Sequence, residues 1–97
     1  MEQVMTSEKN NDNFVEIEVI TVSGSYPDEG FVKTPKNQDV RILLEKASKK
    51  LGIVETEGFI ATIDGNQIDI NSTYETLNID DETTIDWSKR EGGGGYA

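Results

Sequence analysis

Hydrophobic and polar positions change period three times along this chain. Residues 14–22 (FVEIEVITV) alternate, with Val15, Ile17 and Val19 on one side and Glu16 and Glu18 on the other. That is the period-two signature of a half-buried strand. Residues 23–30 (SGSYPDEG) break the pattern as a loop, Pro27-Asp28-Glu29-Gly30 supplies a turn, and residues 31–34 give a short second strand. Over residues 38–51 the period becomes helical: Val40, Leu43, Leu44, Ala47 and Leu51 form one apolar stripe. Asn37 is expected to cap this helix and Asp39 to lie in its first turn. Lys46, Lys49 and Lys50 load the negative end of its dipole. Gly52 is placed to close it in the left-handed conformation, with Ile53 packing back.

Alternation returns at residues 59–63 (FIATI), where Phe59, Ala61 and Ile63 share a face. The sequence Asp64-Gly65-Asn66-Gln67 predicts a turn into a strand over residues 68–70. Residues 71–79 suit neither strand nor stable helix; a single 3₁₀ turn over 73–77 would tuck Tyr74, Leu77 and Ile79 inward. The last strand, residues 83–88, turns Ile85 and Trp87 in and Thr84, Asp86 and Ser88 out. The first and last strands carry the richest apolar faces, which puts them side by side at the centre. Ile17, Val19, Leu43, Ala47, Ile63, Ile85 and Trp87 are the expected core. A single helix across one face of a mixed sheet satisfies both periods, an α+β arrangement in the order ββαββ-3₁₀-β.

Of 97 residues, residues 1–13 are polar and aperiodic and are expected to be a disordered arm. Residues 14–88 form the one domain, and residues 89–97 a flexible glycine-rich tail. No apolar stretch approaches a membrane span and no signal core is visible, which suggests a soluble, cytoplasmic protein. The net charge is −10, and residues 51–88 hold nine acids and no Lys or Arg. Nucleic acid is a poor partner for such a surface, because phosphate contacts need clustered cations. The acidic half suits either a solvated face or docking onto a basic protein surface.

Chemistry narrows the reading further. The chain has no Cys and no His, so the usual nucleophile–base pairs and most zinc sites have no side chains to build them. Asp64-Gly65-Asn66-Gln67-Ile68-Asp69 lacks the later ligands of a calcium loop. The glycine run has neither the Lys-Ser/Thr nor the helix of a phosphate loop. No cofactor or metal is expected, and no catalytic residue; the protein reads as a substrate of enzymes, not as an enzyme. Lys46, Lys49 and Lys50 read as a solvated helix end.

The carboxyl half resembles the ubiquitin family. Residues 61–94 align with it without a gap, with identities at Gly65, Gln67, Thr73, Asn78, Ile79, Glu82, Thr84, Arg90, Gly93 and Gly94. Ile63, Ile68, Tyr74, Ile79, Ile85 and Trp87 match apolar core positions. The amino-terminal half resembles it in element order only. The resemblance implies a β-grasp fold, which serves covalent modifiers, sulfur carriers and plain interaction domains alike. Thr62 and Ser88 stand where that family exposes an apolar recognition patch, and Asn66 and Asp81 stand at its best-known chain-forming lysines. The chain therefore resembles a divergent or bacterial modifier, of the kind encoded beside its own enzymes, more than ubiquitin.

Seen through that resemblance, residues 88–95 (SKREGGGG) are the candidate functional segment. Gly92, Gly93, Gly94 and Gly95 would let the tail thread a narrow channel, since no Cβ blocks the backbone. Eight extended residues reach at most about 27 Å. Arg90 and Lys89 would be read by an activating enzyme. Tyr96-Ala97 follows the glycines, so a peptidase is expected to cut first, with Tyr96 as its handle, leaving Gly95 or Gly94 as the terminus. The implied partners are an adenylating (activating) enzyme, a conjugating enzyme, a processing or deconjugating peptidase and the target proteins joined through an isopeptide bond. No nucleic acid or membrane is among them. A non-covalent interaction module is the alternative, and a sulfur carrier ending in a glycine thiocarboxylate a weaker one.

Overall fold

The structure is a computed structural model, and it describes residues 13–89. The element order is β1 (Phe14–Thr21), β2 (Gly24–Tyr26), β3 (Val32–Pro35), α1 (Val40–Lys50), β4 (Phe59–Ile63), β5 (Asn66–Ile68) and β6 (Thr83–Lys89). Together the strands make one mixed sheet in the order β2-β1-β6-β4-β5, with β3 also paired to β1. The centre is the parallel pair β1–β6, registered Ile17 with Thr83 through Ile20 with Asp86. This is the side-by-side placement that the apolar faces of the first and last strands predict.

One helix lies across one face of that sheet. Val15, Ile17 and Val19 of β1, Ala61 of β4, and Ile85 and Trp87 of β6 are buried beneath Val40, Leu43, Leu44 and Ala47 of α1. Burying side chains of this size contributes about 1.5–3 kcal/mol each. Six of the seven expected core residues are buried; Ile63 packs against the core but stays half-exposed. Trp87 is core as expected. Its indole N–H donates to the Ser48 hydroxyl at 2.9 Å, which donates to the Leu44 carbonyl at 2.9 Å. Phe59 meets Trp87 edge to face, with ring centroids 5.2 Å apart.

Several local expectations need correction. Residues 23–30, which the pattern predicts as a loop, contain β2, paired antiparallel with β1 from Val19–Tyr26 to Thr21–Gly24. The turn is closed by a side chain: the Thr21 hydroxyl donates to the Gly24 carbonyl at 2.8 Å and accepts from the Ser23 N–H at 3.0 Å. Val22 is therefore at the hairpin tip and not in the strand. β2 and β3 divide one edge of β1, since β3 pairs with Phe14 to Ile17. β3 begins at Val32, one residue later than expected.

The helix begins later as well. Asp39, not Asn37, is its N-cap, and its side chain makes no capping bond. Instead the Val40 and Arg41 N–H groups donate to the Ser72 and Ile70 carbonyls at 3.0 and 2.8 Å. At the other end Gly52 is left-handed (φ 75) as expected. Its N–H donates to the Lys49 carbonyl, and that of Ile53 to the Ser48 carbonyl. This pair of bonds is the Schellman closure.

The β4–β5 turn is two residues, Asp64 and Gly65, both at positive φ. Asn66 and Gln67 thus belong to β5, which ends at Ile68 where a strand to Ile70 was expected. Residues 73–79 form a turn of mixed hydrogen bonds and not a uniform 3₁₀ turn. The Leu77 N–H donates to the Thr73 carbonyl, Asn78 to Glu75, and Ile79 to Tyr74. Asn78 (φ 61) closes it in the same left-handed way that Gly52 closes α1. Tyr74 and Ile79 are buried and Leu77 packs on the core, as the inward pattern predicts.

Candidate functional site

Of the candidate tail segment, only Ser88 and Lys89 lie within the described structure. Arg90, Gly92, Gly93, Gly94, Gly95 and Tyr96 fall outside the described residues, as does the amino-terminal arm apart from Asn13. Lys89 is the last residue of β6 and pairs with Phe59. Its side chain runs past Gly58, where an added Cβ would sit 3.7 Å from the lysine Cε. The lysine itself is exposed. The central strand of the sheet therefore hands the chain out at an exposed cation, directly ahead of the arginine and the glycine run.

The sheet face opposite α1 is built by the residues out of phase with the core. Registered rows place Glu18 beside Thr84, Ile20 beside Asp86, Asp86 beside Thr62, and Ser88 beside Ile60. The Thr84 hydroxyl donates to a Glu18 carboxylate oxygen at 3.1 Å, and the Ser88 hydroxyl to an Asp86 carboxylate oxygen at 3.1 Å. Thr62 and Ser88 make the middle of this face polar, as read from the sequence. Sequence reasoning missed Ile20 and Ile60, which point outward on the same face, and Val22, 89 % exposed at the hairpin tip. Their positions were legible: both isoleucines break the alternation of their strands.

Among the concavities of the described residues, two have substantial apolar lining beside the sheet. One of about 360 Å³ lies between the carboxyl end of α1 and the following loop, lined by Ser48, Lys49, Ile53, Val54, Thr56 and Trp87 among others. A larger, open groove of about 510 Å³ lies between the β4–β5 turn and the segment leading into β6. Ile63, Ile68, Leu77 and Ile79 line it together with Asp64, Asp80 and Asp81. Among the described residues no group of three Asp or Glu is placed to hold a metal ion. No helix there is long and apolar enough to cross a membrane. Tyr74 lies fully buried. Burial pushes its phenol well above the ordinary tyrosine range, and its hydroxyl has no hydrogen-bond partner among the described residues.

The sequence matches no family model, and no curated relative matches it. Solved structures do. A designed protein based on ubiquitin superimposes with a TM-score of 0.62 at 24 % identity, covering 87 % of this chain and 98 % of its own. The ubiquitin of Caldiarchaeum subterraneum gives 0.60 at 18 % identity, over 84 % and 99 %. The solution structure of the N-terminal ubiquitin-like domain of the 4931431F19Rik protein gives 0.59 at 16 % identity, over 89 % and 84 %. At these identities the likeness carries the fold.

Proposed function

The chain has a ubiquitin-like β-grasp fold, and we propose that it is a protein modifier, conjugated to targets through a carboxyl-terminal glycine. The observation that carries this reading is the placement of β6. The central strand ends at exposed Lys89, and the sequence continues as Arg90-Glu91 and four glycines.

In the proposed sequence a peptidase hydrolyses the peptide bond after Gly95 and releases Tyr96-Ala97. The freed carboxylate attacks the α-phosphorus of ATP, forming an acyl-adenylate and expelling pyrophosphate. A thiol of the activating enzyme displaces AMP to give a thioester, which passes to a thiol of the conjugating enzyme. A target amine then displaces that thiol and forms the isopeptide bond. Beyond that terminal carboxylate the chain contributes no acid, base or nucleophile to these steps. It is the cargo, and its body docks on protein partners while the tail enters their active sites.

Co-expression with a candidate peptidase, activating enzyme and conjugating enzyme, followed by intact-mass analysis, tests the reading. The expected result is loss of Tyr96-Ala97 and mass-shifted target adducts, both abolished by deleting residues 93–97. Adducts that persist without the glycines, or a tail that stays whole, would overturn it.

A further inference from the structure

The groove beside the β4–β5 turn has an unusual composition for an exposed surface. Ile79 is buried in its floor, while Ile63, Ile68 and Leu77 pack on the core with one side uncovered. Ile63 fails to reach full burial for this reason: the groove takes the place of a covering layer. Asp64, Asp80 and Asp81 stand around that apolar floor, and all three are exposed. Lys36 reaches Asp80 at 3.3 Å; Asp64 and Asp81 belong to the stretch of residues 51–88 that holds no Lys or Arg.

We propose that this groove docks a Lys/Arg-rich segment of a partner protein that carries one apolar anchor side chain. Charge complementarity selects the occupant. With a net charge of −10 and carboxylates around the groove, the surface repels anionic partners at a distance and steers cationic ones toward it. Because the carboxylates are exposed, a cation meets them without a heavy desolvation cost, so each contact is modest and sensitive to salt. The half-covered Ile63, Ile68 and Leu77 supply what charge alone does not, a floor against which one apolar side chain loses its water. The proposal shares with the modifier reading only the expectation of protein partners. No step of it passes through the tail.

The test is a titration of the isotope-labelled chain with the capped peptide Lys-Arg-Leu-Arg-Lys, followed by backbone amide resonances. Perturbations are expected at Ile63, Asn66, Ile68, Leu77 and Thr83. Affinity should fall about tenfold between roughly 0.05 M and 0.3 M salt. The combined substitutions Asp64→Asn, Asp80→Asn and Asp81→Asn keep side-chain size and a left-handed residue at 64. They should weaken binding about tenfold. Replacing the peptide's leucine by alanine should weaken it about fivefold. Spermine giving the same map and affinity would overturn the proposal, since charge alone would then suffice. Perturbations centred on other acids such as Glu55 and Glu57, or undiminished binding by the triple variant, would overturn it too. Deleting the glycine tail should leave every one of these readings unchanged, which separates failure here from failure of the modifier function.

Discussion

The two ends of α1 solve the same problem in different ways. Both must satisfy backbone groups that have no partner inside the helix. The carboxyl end does so locally: Gly52 turns left-handed, and its own N–H and that of Ile53 fold back onto the Lys49 and Ser48 carbonyls. The amino end does so at long range, donating Val40 and Arg41 N–H groups to carbonyls of Ser72 and Ile70, with Asp39 bridged to Thr73. One end is specified by a single residue just past the helix, Gly52. The other exists only once the segment ahead of Tyr74 has docked, so helix start and late turn form together.

Packing between the two ends outweighs both. Leu43 is 4 % exposed and sits among the buried residues of the sheet. Leu43→Ala should cost about 2–5 kcal/mol, a large part of the stability of a domain this size. A urea titration would read it as a lower midpoint with an unchanged slope. An unmoved midpoint would remove Leu43 from the core and the comparison with it.

The local end is broken by its glycine. A Cβ at Gly52 meets nothing within 4 Å, yet φ is 75, so Gly52→Ala tests backbone strain alone. The expected loss is about 1 kcal/mol. Gly52→Asn should lose less, because asparagine tolerates this conformation and Asn78 already adopts it here. Equal losses for alanine and asparagine would show that conformation is not what Gly52 supplies.

The same contrast marks what the sequence makes legible. Strand phases, the helix stripe, Gly52 and the central pairing of the first and last strands follow from spacing within each segment, and the structure has them all. The helix start does not, because its capping carbonyls come from residues 70 and 72, and no pattern near Asn37 or Asp39 encodes them. β2 was hidden for a related reason: its turn is closed by the Thr21 hydroxyl and Gly24, without the Asn-Gly or Asp-Gly that announces a two-residue hairpin. At the candidate site, the alternation of the last strand carries only to Ser88; Lys89, expected in the flexible tail, is instead the last residue of β6, held by its pairing with Phe59. The groove does not follow, since Ile63 and Leu77 read as core until the fold leaves one side of each uncovered.

The long-range end can be sharpened at Tyr74, whose ring fixes the segment that supplies the caps. The residue is fully buried, but its hydroxyl is unpaired among the described residues. Tyr74→Phe should therefore stabilise the fold by about 1 kcal/mol. The shift is upward, so the folded chain holds this proton more tightly than the unfolded one. Its contribution is intact below the unfolded phenol's value of about 10 and is lost as pH rises above it. The phenylalanine variant should show a shallower loss of stability above about pH 10. Matching pH profiles for the two proteins would mean that the phenol is solvated after all.

The smallest expected effect is the most diagnostic. An aspartate at the N-cap normally bonds an N–H of the first turn, and its replacement by alanine costs about 1 kcal/mol. Asp39 makes no such bond. Its carboxylate lies 3.9 Å from the Arg41 guanidinium, with both side chains well exposed. What remains is its attraction to the positive end of the helix dipole, a surface effect that salt screens. Asp39→Ala should consequently cost less than about 0.5 kcal/mol at low salt. The loss should shrink toward zero at about 0.5 M salt, where charges separated by more than a few ångströms scarcely interact. Thermal melts of the two proteins at low and high salt would measure it. A loss near 1 kcal/mol that survives high salt would mean the side chain caps the helix. The amino end would then be as local as the carboxyl end, and docking of residues 70–74 would no longer be what starts the helix.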